Sequence, residues 1–323
     1  MRVLVTGIDG FVGSHLAEFL LAIPGVEVHG TVLDSAQILN IEKIQHSLHL
    51  HPSDILDRVR LIGLVDEIKP NRIIHLAGQA FVPTAFADPA STFQANIMGG
   101  VNVLDSARLL SAKTNVTPSV LVVSTGEVYG KVDRLPITED FPLSPNNPYA
   151  ASKASIDLIA QQYRASFGLP VVVVRPFNHV GPRQNPIFVC SDFGKQFAEI
   201  AAGKRQPELH VGNIHAQRDF TDVRDVVKAY WLLLERNAPD VVYNVCSGQP
   251  LAIEALLSMY QEIAGVKVSI VSEKQRMRSY DVPVVIGSYD RLKRATGWTP
   301  SIPIQQTLRD VFEYWRGRMS ETG

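Results

Sequence analysis

Residues 6–13 read TGIDGFVG, with Gly7, Gly10 and Gly13 spaced three apart between two apolar segments. The segment before them, Arg2–Thr6 (RVLVT), is β-rich and runs straight into the first glycine, as a buried parallel strand does. The segment after them, 11–22, has helical spacing, apolar at Phe11, Val12, Leu16, Phe19 and Leu20. A glycine turn that joins a strand to a helix restricts the chain to a few α/β solutions. The first glycine permits a tight turn, the second lets backbone approach a pyrophosphate, and the third lets the helix close on the strand. The helix N-terminus adds free N–H groups and partial positive charge. This position in the chain predicts a dinucleotide-binding turn rather than a chance glycine-rich loop.

The pattern continues as strands at 26–33, 72–77, 120–124 and 171–175, with helices at 94–110 and 149–167. Alternating strands and helices with few hairpin signals predict a doubly wound parallel sheet, the Rossmann type of α/β fold. VVVV and LVV are continuously apolar, as strands covered on both faces must be. After Pro176 the chain turns rich in Gly, Pro and polar residues (NHVGPRQNP), and helix and strand mix irregularly. A strand at 241–245 predicts a return to the first sheet. The expected division is a dinucleotide-binding domain over 1–178, rejoined by 213–248, and a smaller mixed α/β substrate lobe from 179–212 and 249–323.

The chain has 323 residues with a net charge of −1, so no strong global field draws it to nucleic acid or an acidic membrane. Its two cysteines, Cys190 and Cys246, make no disulfide framework, which suits a reducing compartment. Without a signal-peptide pattern or a run of about 18 apolar residues, a cytoplasmic location is the expectation. His46, His49 and His51 in HSLHLHP read as a solvated connector or strand rather than zinc ligands, and no metal is expected.

Residues 121–130, LVVSTGEVYG, end an apolar strand in two hydroxyls, a glycine and a carboxylate. Tyr149 and Lys153 stand four apart in NPYAASKAS, on one face of a helix. A carbonyl that receives hydride needs a proton donor beside it. Tyrosine serves if an ammonium such as Lys153 favours its phenolate; a drop of about three pKa units takes roughly 4 kcal/mol. Thr125 would bind the same substrate oxygen and align it with Tyr149. For the cofactor, Asp34 at the end of the second strand could hold ribose hydroxyls, and no basic residue stands beside it to take a 2′-phosphate. NAD is therefore favoured over NADP.

The order of glycine loop, Thr125, Tyr149 and Lys153 resembles the extended short-chain dehydrogenase/reductases, and the likeness spans almost the whole chain. PFNHVGPRQ, VGNIHAQRDFTDVRDV, VYNVCSGQP and TGWTPSIP resemble the GDP-4-keto-6-deoxy-mannose reductases, which make GDP-rhamnose, and, less closely, the GDP-mannose 4,6-dehydratases. HLAGQAFVPTAFADP points to the reductases. The resemblance implies a GDP-sugar substrate and a homodimer built on the helices at 94–110 and 149–167. It implies that Asp54 meets adenine, and that Phe11, Val12, Ile55, Leu76, Ala77, Gly78 and Pro176 line the cofactor. It places Gln79, Asn178, Arg183, Arg218 and Arg278 around the diphosphate and sugar, where guanidinium forks suit phosphate oxygens. Family members that prefer NADPH usually carry arginine where Leu33 stands, which leaves NAD and NADP both open.

The related dehydratases use a glutamate at the position of Glu127 to remove the C5 proton. They carry an acid or hydroxyl where this chain has Gly126. The sequence therefore favours reduction of a C4 ketone, with Glu127 accepting hydrogen bonds from the sugar, over 4,6-dehydration or C4 epimerisation. A non-catalytic nucleotide sensor would be expected to lose Tyr149 or Lys153.

Overall fold

The computed structural model describes residues 1–33, 38–273 and 282–321. The strands are β1 (Arg2–Thr6), β2 (Glu27–Val32), β3 (His49–Pro52), β4 (Arg72–His75), β5 (Ser119–Val123), β6 (Val171–Pro176), β7 (Asn178–Val180), β8 (Glu208–Val211), β9 (Gln217–Asp222), β10 (Val242–Val245), β11 (Pro250–Ala252) and β12 (Ser269–Ser272). The helices are α1 (Phe11–Leu21), α2 (Arg58–Ile68), α3 (Val82–Ala87), α4 (Pro89–Phe93), α5 (Gly99–Lys113), α6 (Pro148–Phe167), α7 (Val189–Ala201), α8 (Val223–Glu235), α9 (Ile253–Ala264), α10 (Asp290–Thr296) and α11 (Ile304–Glu321).

Seven parallel strands form the main sheet in the order β10-β6-β5-β4-β1-β2-β3. The period of two explains why its strands are apolar throughout. Val172 and Val174 of β6 face the core under α1 and α8, whereas Val171 and Val173 face the core under α2, α5 and α6. The chain order reverses between β1 and β4, so a crevice opens at the carboxyl ends of these strands. A third core, with Phe197, Tyr260, Leu308 and Val311, holds the second lobe of α7, α9 and α11 with β8 and β9.

One open reading resolves and two local expectations change. HLHP is a true edge strand paired with β2, and the His49 and His51 rings stack on His29 with centroids 4.7 and 5.4 Å away. The strand at 72–77 stops at His75, because the Leu76 and Ala77 N–H groups turn onto the Thr6 hydroxyl. The helix at 94–110 opens with a π-helical stretch, Gln94–Met98, before α5. The lobes also divide differently. β9 pairs with β7 and β11 rather than with the main sheet, while Leu292 and Trp298 pack into the first core.

Candidate active site

The glycine turn has the shape its spacing demands. Gly7 has φ 69°, and a Cβ there would lie 3.1 Å from the Ala77 backbone. A Cβ on Gly13 would meet the Gly7 carbonyl at 2.2 Å. Gly10 is the N-cap of α1 and brings no side chain to cap it, so the first-turn N–H groups face the crevice. This cradle fits a dinucleotide pyrophosphate, and NAD or NADP is accommodated. Phe11 and Val12 open α1, Gly78 sits at the carboxyl end of β4, and Pro176 ends β6. Ile55 is buried, its carbonyl held by Asn102 at 2.9 Å, and Asp54 is exposed and closes a turn onto the Leu56 N–H. Leu33 is 74% exposed at the end of β2; Asp34 and Arg278 lie outside the described residues.

Beneath the cradle, Thr6 accepts from Leu76 and Ala77 and therefore donates its O–H to His75 Nδ1, 2.8 Å away. His75 is thus neutral with its proton on Nε2. Burial first, and then the Lys153 charge, holds its pKa down to about 3.

The four residues expected to be catalytic, Thr125, Glu127, Tyr149 and Lys153, lie at the carboxyl end of β5 and the start of α6. The Thr125 hydroxyl accepts from the Glu127 N–H at 3.2 Å, capping a short 3₁₀ turn over Gly126–Tyr129. It also lies close enough to the Tyr149 phenol to lower that group's pKa slightly. Asn147 caps α6, and its side-chain oxygen accepts from the Ala150 N–H at 2.8 Å. Its amide donates to Glu127 Oε2 at 3.0 Å. Pro148 follows at the first helical position, where a missing N–H costs nothing. Lys153 Nζ donates to the Val123 carbonyl at 2.9 Å, and burial lowers its pKa to about 8.

One electrostatic expectation is reversed. Tyr149 has a raised pKa, not a lowered one. Burial contributes most and the Glu127 charge next, against a smaller lowering by Thr125, while the Lys153 ammonium is turned to the Val123 carbonyl. In this state the phenol carries its proton, the form from which a general acid starts.

A buried network fixes the two halves of this set to each other. Asp157, one turn beyond Lys153 on α6, pairs with Arg175 of β6 at 2.8 and 3.1 Å. Arg175 Nη1 donates to the Tyr129 hydroxyl at 2.9 Å, and Tyr129 donates to Asn244 of β10 at 2.7 Å. The 126–129 turn and α6 are therefore both tied to the sheet. Sequence reasoning did not single out Asn147, Arg175 or Asp157. The Asn-Pro pair before Tyr149 was a readable cap signal, whereas the partner of Arg175 is set only by the packing of α6 on β6.

The residues expected around the sugar nucleotide are dispersed. Asn178 is exposed at the start of β7. Arg218 lies on β9 opposite Leu251, with Nη1 donating to the Gln217 and Val282 carbonyls at 2.8 and 2.7 Å. Its register is pinned by neighbouring Asp219, which accepts from Ser247, Gly248 and Gly287. Gln79 turns into its own loop, donating to Thr92 at 3.1 Å and accepting from the Phe81 N–H. Arg183 forks onto Glu18 of α1 at 2.6 and 2.8 Å and donates to His15 Nδ1 at 2.8 Å. It joins the second lobe to the glycine-turn helix and is already engaged there by protein groups. Among the described residues, no cluster of three or more His, Cys, Asp or Glu side chains is arranged to hold a metal ion.

The chain is 39% identical over 322 residues to a GDP-6-deoxy-D-mannose reductase from Pseudomonas aeruginosa, covering 99% of each chain. It is 29% identical over 349 residues to a GDP-mannose 4,6-dehydratase from Vibrio cholerae, covering 96% of this chain and 92% of that one. The solved structure of Pseudomonas aeruginosa RMD complexed with NADPH superposes with a TM-score of 0.85 at 39% identity, covering 98% of this chain and 99% of the other. The model of the GDP-mannose 4,6 dehydratase family matches residues 4–311, and the chain belongs to that family, within the extended short-chain dehydrogenase/reductase fold.

Proposed function

We propose that this protein reduces the C4 ketone of a GDP-4-keto-6-deoxy-hexose to the alcohol, giving GDP-rhamnose, with NADH or NADPH as reductant. The bound nicotinamide cofactor supplies the hydride to C4. Tyr149 gives its proton to the carbonyl oxygen, Thr125 hydrogen-bonds the same oxygen, and Lys153 supports the phenolate left behind. Glu127, exposed beside them, accepts hydrogen bonds from sugar hydroxyls. Arg218 and Arg278 are proposed for the diphosphate. Arg183 is better used as a lobe-to-helix tie.

Gly126 is the observation that carries reduction over dehydration. Next to Thr125 it brings neither hydroxyl nor carboxyl to the sugar, and a Cβ there would begin 3.0 Å from the Phe177 ring. The 39% identity to a named reductase supports the same reading. Exposed apolar side chains on one run of helices, Phe93, Met98, Leu158 and Phe167, support a homodimer in which a second copy covers them. The cytoplasm, where reduced nicotinamide cofactors and free thiols persist, is the proposed location.

Purified protein given GDP-4-keto-6-deoxy-mannose should consume NADH or NADPH one-for-one with substrate and leave GDP-mannose untouched. Conversion of GDP-mannose without net cofactor consumption would replace this reading with the dehydratase.

A further inference from the structure

A chain of hydrogen bonds runs from Thr125 to the helix that carries Tyr149. The Thr125 hydroxyl, which lowers the pKa of the neighbouring Tyr149 phenol, accepts from the Glu127 N–H. The Glu127 carboxylate accepts from the Asn147 amide, and the Asn147 side-chain oxygen holds the Ala150 N–H on the helix that carries Tyr149. Asn147 is 6% exposed and is the one side chain of this chain of bonds that lies outside both the 125–129 turn and the expected site. A helix cap needs only an acceptor, which serine, threonine or aspartate would also supply. The amide donor is surplus to capping, and in this structure it is spent on Glu127, with a second contact to Asn146 Oδ1 at 3.3 Å.

We propose that Asn147 is a positioning residue, whose amide fixes the Glu127 carboxylate at the Thr125–Tyr149 pair. This rests on the proposed reduction, in which Glu127 orders the sugar and Tyr149 must arrive protonated. A glutamate on an exposed turn has several rotamers; a donor from the capped end of α6 selects one of them. The charge so held faces the phenol and disfavours its ionisation. The other titratable groups around Tyr149 among the described residues are Lys153 on α6 and Tyr230 on α8. His75 stands one step further away, where the Lys153 charge helps to keep it neutral.

The test is a double-mutant cycle. Asn147→Ser keeps a capping oxygen and removes the amide. It should lower kcat about tenfold to a hundredfold with little change in cofactor KM. The alkaline limb of its rate profile should move to lower pH, because a mobile Glu127 opposes phenolate formation less. In a Glu127→Ala background the same substitution should cost almost nothing further, since Asn147 acts through the carboxylate. A wild-type pH profile for Asn147→Ser, or losses that simply multiply in the double variant, would overturn the proposal and leave Asn147 a cap. If the wild type instead converts GDP-mannose, the reading of function fails, and the cycle measured on that substrate still decides Asn147 by the same criterion.

Discussion

The crevice over the main sheet and the sugar lobe beside it use their polar residues in contrasting ways. In the crevice, position along the backbone nearly determines role. Gly13 can be nothing larger than glycine, with the Gly7 carbonyl 2.2 Å from a hypothetical Cβ, and Thr125 must cap its own turn. In the lobe, two arginines expected at one site have different fates. Arg183 is bound to Glu18 and His15, while Arg218 stands on a strand pinned by Asp219. Residues whose function follows from backbone geometry can be read locally. Residues that act through a long flexible side chain depend on what tertiary structure brings within reach.

Substitutions can break or sharpen that contrast. The largest effect belongs to the crevice. Tyr149→Phe should cut turnover by about 10²–10⁴ and leave cofactor affinity nearly unchanged. Near-normal turnover would remove the phenol from the mechanism. In the lobe, Arg218→Ala should raise the substrate KM by roughly ten- to a hundredfold while the cofactor KM stays put, as expected for a charged hydrogen bond lost to a ligand. Equal changes in both constants, or none, would take Arg218 out of the diphosphate site.

Arg183→Ala should separate the two arginines. Because Arg183 spends its fork on Glu18, and Glu18 is half-exposed, the variant should lose only about 1 kcal/mol of stability and little substrate affinity. A substrate KM rising as steeply as for Arg218→Ala would return Arg183 to the sugar site.

A pH dependence tests the same tie without any substitution. His15 donates to the Pro182 carbonyl and accepts from Arg183, so it is neutral; burial and then the Arg183 charge lower its pKa to about 4. His75 is held lower still, at about 3. For both, the folded pKa lies below the unfolded value near 6.5, so above that pH neither affects stability. As pH falls from about 6.5 towards 4, the unfolded chain takes up these protons first and stability is lost. Denaturant unfolding at descending pH should show this loss. A flat profile through the window would contradict the assignment of both imidazoles as neutral.

The contrast also explains what the sequence disclosed. The sheet, its order of elements and the Thr125–Tyr149–Lys153 set follow from apolar periodicity, glycine spacing and one helical turn. The direction of the Tyr149 shift did not follow, because spacing puts Lys153 near but cannot tell that its ammonium is turned onto the Val123 carbonyl. The HLHP strand was ambiguous for a related reason. It sits at the sheet edge, and its imidazoles stack on His29, contributed by β2 from 20 residues away in sequence from His49. The lobe boundary shifted because Trp298, far along the chain, donates its indole N–H to the Asp225 carbonyl on α8.

The central claim is that hydride enters C4 from the cofactor and is not returned. Reduction of GDP-4-keto-6-deoxy-mannose with cofactor deuterated at the transferring carbon of the nicotinamide tests this directly. The product should carry one deuterium, at C4 of the sugar, and one equivalent of cofactor should be oxidised. A product free of deuterium, or turnover of GDP-mannose in the presence of cofactor that stays unconsumed, would contradict the account.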